Sequence, residues 1–466
     1  MNQRSRSFFP RCQAIALLLS LWAVSLGAQA VDNGRVPLFY SNESQPGARG
    51  AALGVAYREA FPDLEARWDA YLQQVFSTLG GEAQARFDAW LTDIIEPLRS
   101  QGLSPEARAE VEGLASTWAL VGGNRLGDGQ LSHDELWAAQ LLPDLGLVGG
   151  GVGYAVFGTA SADGGPLVGR HRDTLLDPAH RDTEPPLVIT VIGQPTQPWA
   201  GIGFAGQLAP LTGMNASGLF ISQFPVAEPR LASPNKPMQA IGFALREVLE
   251  RATNLPSATH TLARQRFGVS QAWLIVDRGR AAVLEHPAGK PGNQRTVQSP
   301  VRDTLSWGRA EQLAVVNCLA LANLRSDCRQ LRDRYRWQRL RELARFHASG
   351  LQARLGDVIA LLQDQANSPY ALLGASTIET LVYQPRTQRL YLRTHSEALA
   401  SDSDTPEQAA LAALPMYQPF ANLHTDHDSP WLLFLLFAVA LLGLLVVALI
   451  RYRYRSTQPI KGDDSV

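Results

Sequence analysis

Apolar residues recur at helical spacing through the first third of the chain, over 51–79, 82–98, 105–119 and 132–142. Ser104-Pro105 reads as a helix start, and Ser132 with Glu135 reads as a capping box. Near Gly146 the period shortens. Short apolar runs at 154–157 and 167–170 flank the turn residues Ser161 to Pro166, a hairpin pattern. Strands are expected at 187–192, 201–207 and 218–223, the last after a turn at Asn215. Helices follow at 237–253 and 257–267, then a hairpin of 272–276 with 281–285 over Asp277-Arg278-Gly279-Arg280. An arginine-rich helix at 332–347, another at 355–363, and a hairpin of 377–383 with 389–393 complete the pattern. The order predicts an α+β chain with two antiparallel sheets.

The two ends carry different signals. Arg4, Arg6 and Arg11 precede an apolar run at 14–26 and the small residues of Ala28-Gln29-Ala30, so 1–30 is expected to be a signal peptide. An uncleaved N-terminal anchor is the alternative. At the other end 431–450 is apolar without a charge, and about 20 such residues span a bilayer core. Trp431 marks one interface, and Arg451, Arg453 and Arg455 mark the other, which the positive-inside rule keeps cytoplasmic. The expected layout is an ectodomain at 31–400, a polar stalk at 401–429, a single-pass transmembrane helix at 430–450 and a cytoplasmic tail at 451–466. That layout suits a bacterial inner-membrane protein facing the periplasm.

Charge and cysteine content narrow the chemistry. With 42 basic against 43 acidic residues the net charge is −1, so no basic field points to nucleic acid. Removal of the leader takes Cys12 with it and leaves Cys318 and Cys328, either a disulfide or two buried thiols. Asn124 to Glu135 has some spacing of a calcium loop, but Leu126 stands where an oxygen is needed, and a glycine-rich turn before a capped helix is expected instead. His171-Arg172-Asp173 and His180-Arg181-Asp182 repeat a His-x-Asp unit, and the stalk holds His424, Asp426, His427 and Asp428; both are read as loop residues rather than metal sites. No cofactor is expected.

The run Gly149-Gly150-Gly151-Val152-Gly153-Tyr154 through Gly169-Arg170-His171-Arg172-Asp173 resembles the N-terminal-nucleophile hydrolases related to penicillin acyltransferase and acid ceramidase. Leu211 to Leu219, with Gly213-Met214-Asn215, Val316-Asn317-Cys318, and Arg334 to Leu340 match further family blocks in order, covering about 50–394. The resemblance implies a four-layer αββα fold that cuts itself to expose an N-terminal cysteine, whose thiol attacks an amide and whose amine serves as base. It assigns Arg170 and Asp173 to positioning and Asn317 to the oxyanion, with His171, Asn215 and Cys318 as ligand-binding candidates. The nucleophile position falls on Gly151 or, with a shorter hairpin, on Tyr154, neither of which can attack, and 146–154 holds no Cys, Ser or Thr. Three readings follow: a non-catalytic member binding an acylated amine, lipid or peptide; a hydrolase or acyltransferase using water near Asp173 and His171, or Cys318; or an envelope partner-binding protein.

Overall fold

The computed structural model describes residues 36–394, apart from 147–148, 175, 177, 194, 227–237, 325–327, 329, 348 and 367–370, together with two short strands at 29–31 and 412–415. Most of the expected leader, the transmembrane segment 430–450 and the tail 451–466 lie outside the described residues. Among the described residues no helix is long and apolar enough to cross a membrane.

After strands β1 (Gln29–Val31) and β2 (Leu38–Ser41), the N-terminal third is helical: α1 (Pro46–Ala60), α2 (Leu64–Thr78), α3 (Ala83–Trp90), α4 (Glu96–Gln101), α5 (Pro105–Ala115) and α6 (His133–Leu141). The pattern at 51–79 predicts one helix, but Phe61-Pro62-Asp63 divides it, because proline cannot donate to the preceding turn. Likewise the run at 82–98 is interrupted by a π turn at Leu91–Ile95. Helices α1 and α5 touch backbone to backbone. A Cβ on Gly50 would lie 1.8 Å from the Glu110 carbonyl oxygen, so only glycine permits that approach. The capping box at the start of α6 is formed on both sides by Ser132 and Glu135.

The sheets then alternate with helices. A nine-stranded sheet runs β1-β2-β5-β6-β7-β8-β9-β10-β11, using β5 (Leu187–Ile192), β6 (Trp199–Phe204), β7 (Thr212–Asn215), β8 (Phe220–Pro225), β9 (Gln271–Val276), β10 (Ala281–His286) and β11 (Asn293–Arg295). A six-stranded sheet runs β12-β3-β4-β13-β14-β15, using β3 (Gly150–Val156), β4 (Leu167–Asp173), β12 (Gln312–Val315), β13 (Thr377–Gln384), β14 (Arg389–Thr394) and β15 (Ala412–Pro415). All pairings are antiparallel except β2 with β5. The β9–β10 turn is built as its residues suggest, with Asp277 Oδ1 accepting the N–H groups of Gly279 and Arg280. β15 lies within the stretch expected as stalk; its small apolar residues pair with β14, and Pro415 sits at the end of an edge strand, where a missing donor is tolerated. The expected cleavage point after Ala30 falls inside β1.

Four layers result. The N-terminal helices, α7 (Ile241–Arg251) and α8 (Leu255–Ala263) cover the nine-stranded sheet around Trp68, Trp137 and Trp273. Helices α9 (Leu331–Leu343) and α10 (Leu355–Leu362) cover the six-stranded sheet around Val152, Tyr154, Trp337 and Val382. The sheets face each other, as the Phe220–Tyr383 ring stack across them shows. This αββα order is the layering the resemblance implies.

Candidate functional site

At one end of the six-stranded sheet, the start of β3, the end of β4, the loop after β12, the first turn of α9 and the start of β13 meet. Alternation along β4 sends Gly169, His171 and Asp173 toward α9 and α10, and Val168, Arg170 and Arg172 toward the other sheet. Asp173 is fully buried. Its Oδ2 accepts from Arg336 at 2.5 Å and Arg332 at 3.1 Å, and its Oδ1 accepts from the Thr377 hydroxyl at 3.0 Å. Burial alone raises its pKa; the charge and hydrogen bond of Arg336, with Arg332, outweigh that and hold it below the usual carboxylate value. Asp333, one residue along α9, has an Oδ1 without a partner, and burial pushes it up to about 6.

Gly151 stands where the nucleophile is expected. Its φ is +149°, and a Cβ there would lie 2.0 Å from the His171 carbonyl oxygen. Its N–H donates to Asn317 Oδ1 at 2.9 Å, while Asn317 Nδ2 donates to the Pro225 carbonyl at 2.8 Å. Asn317 therefore ties β3 to β8. A Cβ on the preceding Gly150 would meet Arg332 Nη2 and Asn317 Oδ1, each at 3.0 Å. Arg332 thus reaches the space beside Gly150, one residue before the expected nucleophile position.

The remaining candidates are used differently from what the sequence suggests. Arg170 and Asp173 do not converge. Arg170 points between the sheets, donates to the Leu211 and Gln223 carbonyls at 3.1 Å each, and lies over the Phe224 ring; burial lowers its pKa to about 10. His171 is held between the Leu362 carbonyl and the Thr380 hydroxyl, and burial lowers it to about 4. Both ring nitrogens are thereby engaged, which removes it as a base beside Asp173. Asn215 donates to the Leu249 and Ala252 carbonyls and accepts from the Ser217 and Leu219 N–H groups, so it shapes a turn. Cys318 is bonded to Cys328, which settles the open cysteine question as a disulfide and leaves Cys318 no thiol for attack. Arg332, Arg336 and Thr377 are partners that the sequence did not single out by role; the density of arginines in α9 was the available signal.

The glycine-rich turn is a turn. Asp69 takes the N–H groups of Gly127 and Gly129, and Asn124 donates to Asp134. Among the described residues no group of His, Cys, Asp and Glu is placed to hold a metal ion.

A family model described as acyl-coenzyme A:6-aminopenicillanic acid acyl-transferase matches residues 161–399, just over half the chain. No curated protein matches. Similar solved structures include an ortholog of N-acylethanolamine-hydrolyzing acid amidase from Caenorhabditis elegans, with 16% identity over 50% of this chain and 92% of that one at a TM-score of 0.36. A conjugated bile acid hydrolase variant from Clostridium perfringens gives 15% identity, 57% and 93% coverage and a TM-score of 0.38. Penicillin V acylase from Agrobacterium tumefaciens gives 12%, 52% and 83%, and 0.33.

Proposed function

The chain belongs to the acyl-coenzyme A:6-aminopenicillanic acid acyl-transferase family, and from that membership we propose that it is a non-catalytic member, anchored in a membrane with its body outside the cytoplasm, that binds an acylated amine, lipid or peptide. The observation that carries the reading is Gly151. The residue has no side chain to attack a carbonyl or to drive an acyl shift, and its backbone leaves no room for one. Asn317 supports the same reading, because its amide is spent on Gly151 and Pro225 rather than left to donate to an oxyanion. Asp173 is neutralised within the fold by Arg332 and Arg336.

The anchor and its orientation rest on the apolar run at 431–450 and the arginines after it. The Cys318–Cys328 bond suits an oxidising compartment.

Intact mass spectrometry of the purified full-length protein, run beside a fluorogenic acyl-amide panel, tests the proposal. The expected result is one chain with no break in 146–154 and no turnover above buffer. A cut before Gly151, or turnover abolished by Asp173→Ala, would overturn it.

A further inference from the structure

The layer between two packed sheets is normally apolar, yet here three arginines and two glutamates enter it or its rim. Arg170 and Arg172 on β4 and Glu379 on β13 are only 1%, 4% and 0% exposed. Glu379 is the cross-strand partner of Arg172 on the face toward β6 and β8. Arg172 lies over the Phe204 ring, 4.6 Å from its centre. Arg181 and Glu184, half-buried, continue the row outward.

Their hydrogen bonds are not completed by one another. Neither oxygen of Glu379 has a hydrogen-bond partner, and the same holds for Arg170 Nε, Arg172 Nη1, Arg181 Nε and Nη1, and Glu184 Oε1. So many unmet donors and acceptors beside one another are costly in a closed interior. The charges do not balance either: three guanidinium groups face two carboxylates. Across β3, Gly151 and Gly153 sit opposite Arg172 and Arg170, so that strand offers the two guanidinium groups no polar side chain; Phe224 and Leu274 pack over Gly153.

We infer that this inter-sheet cluster is a binding site for a carboxylate, held by Arg172 and Arg181, with the guest's apolar part against Phe204 and its neighbours. A monoanion supplies the missing negative charge and accepts from the free guanidinium N–H groups, which match the two oxygens of a carboxylate. The inference deepens the non-catalytic reading above by naming the class of guest: a free acid, from a fatty acyl chain or a peptide C-terminus, rather than an intact amide.

The test uses the full-length protein in nanodiscs, with melting temperature and titration calorimetry as readouts. The probes are decanoate, a tripeptide with a free C-terminus, and the matching amides of both. One or both acids are expected to raise the melting temperature by several degrees, and the responding acid identifies the source. The amides are expected to leave it unchanged. Arg172→Gln is expected to weaken acid binding at least about tenfold, with Arg172→Lys, which keeps the charge but not the fork, as the control should Gln fail to fold. Glu379→Gln is expected to keep or tighten it. Equal response to acid and amide, no response to any probe (water alone meeting these groups), or unchanged affinity in both Arg172 variants would overturn the inference. Cleavage of an acyl amide in the same samples would sink the non-catalytic reading while leaving acid binding intact.

Discussion

Residue 151 lies under the His171 carbonyl at φ +149°. Gly151→Ala is expected to cost roughly 1–3 kcal/mol, the usual range for a side chain forced into a sparse backbone region, read from urea midpoints. Gly151→Cys is expected to bring no self-cleavage by intact mass, since its Sγ would start from a displaced Cβ. Asp173 makes a second local case. Asp173→Asn leaves the Arg336 charge buried without its partner, and a loss of about 3–5 kcal/mol is expected by chemical denaturation. The wild-type pair also has a pH signature. The folded pKa of Asp173 lies below the ordinary value, so its contribution is present at neutral pH and is lost as pH falls through the acid range. The slope below about pH 4 should flatten in the Asn variant.

At the scale of elements, the periodic pattern locates every described helix and nine of the fifteen described strands, because burial on one face writes a period of 2 or 3.6 into the chain. It misread 51–79 as one helix, since the helical spacing carries on through Pro62. It misses β1, β2, β7, β11, β12 and β15, because each is only three or four residues long, too short for alternation to register. The candidate site was half legible. Motif position led to Asp173, Asn317 and Gly151, which do meet. It grouped Arg170 with them, although a spacing of three puts it on the other face of β4. The capping box of α6 gives an element-level test. Burial pushes Glu135 up to about 7, so its proton stabilises the fold at low pH, and that stability is lost as pH rises from about 4.5 through 7. Glu135→Gln keeps the cap and should remove that slope from stability curves measured across the interval. The disulfide closes a short loop between Cys318 and Cys328, ten residues apart. Replacing both by serine should lower stability by roughly 2–3 kcal/mol, seen as a lower melting temperature.

For the whole molecule, two apolar cores flank a pair of sheets whose shared layer is partly polar. Each side of that arrangement holds a buried neutral histidine. Burial lowers both His171 and His286 to about 4. The unfolded chain takes protons on both near pH 6.5 while the folded one does not, so stability should fall as pH drops from about 6.5 to about 4, by up to about 3 kcal/mol per residue. Urea midpoints across that range, compared with a His171→Gln/His286→Gln double variant, should show a steeper decline for the wild type.

The backbone at Gly151 also bears on what mutation can undo. Two of the four glycine codons become cysteine codons by a single base change, so a cysteine at this position can be one step away. The His171 carbonyl lies in the path of that step. A lineage taking it would meet the loss of stability before any chemistry, and would need the β4 backbone to move first. The shape of a neighbouring strand thus works as a ratchet at this position, keeping any side chain out until that strand shifts.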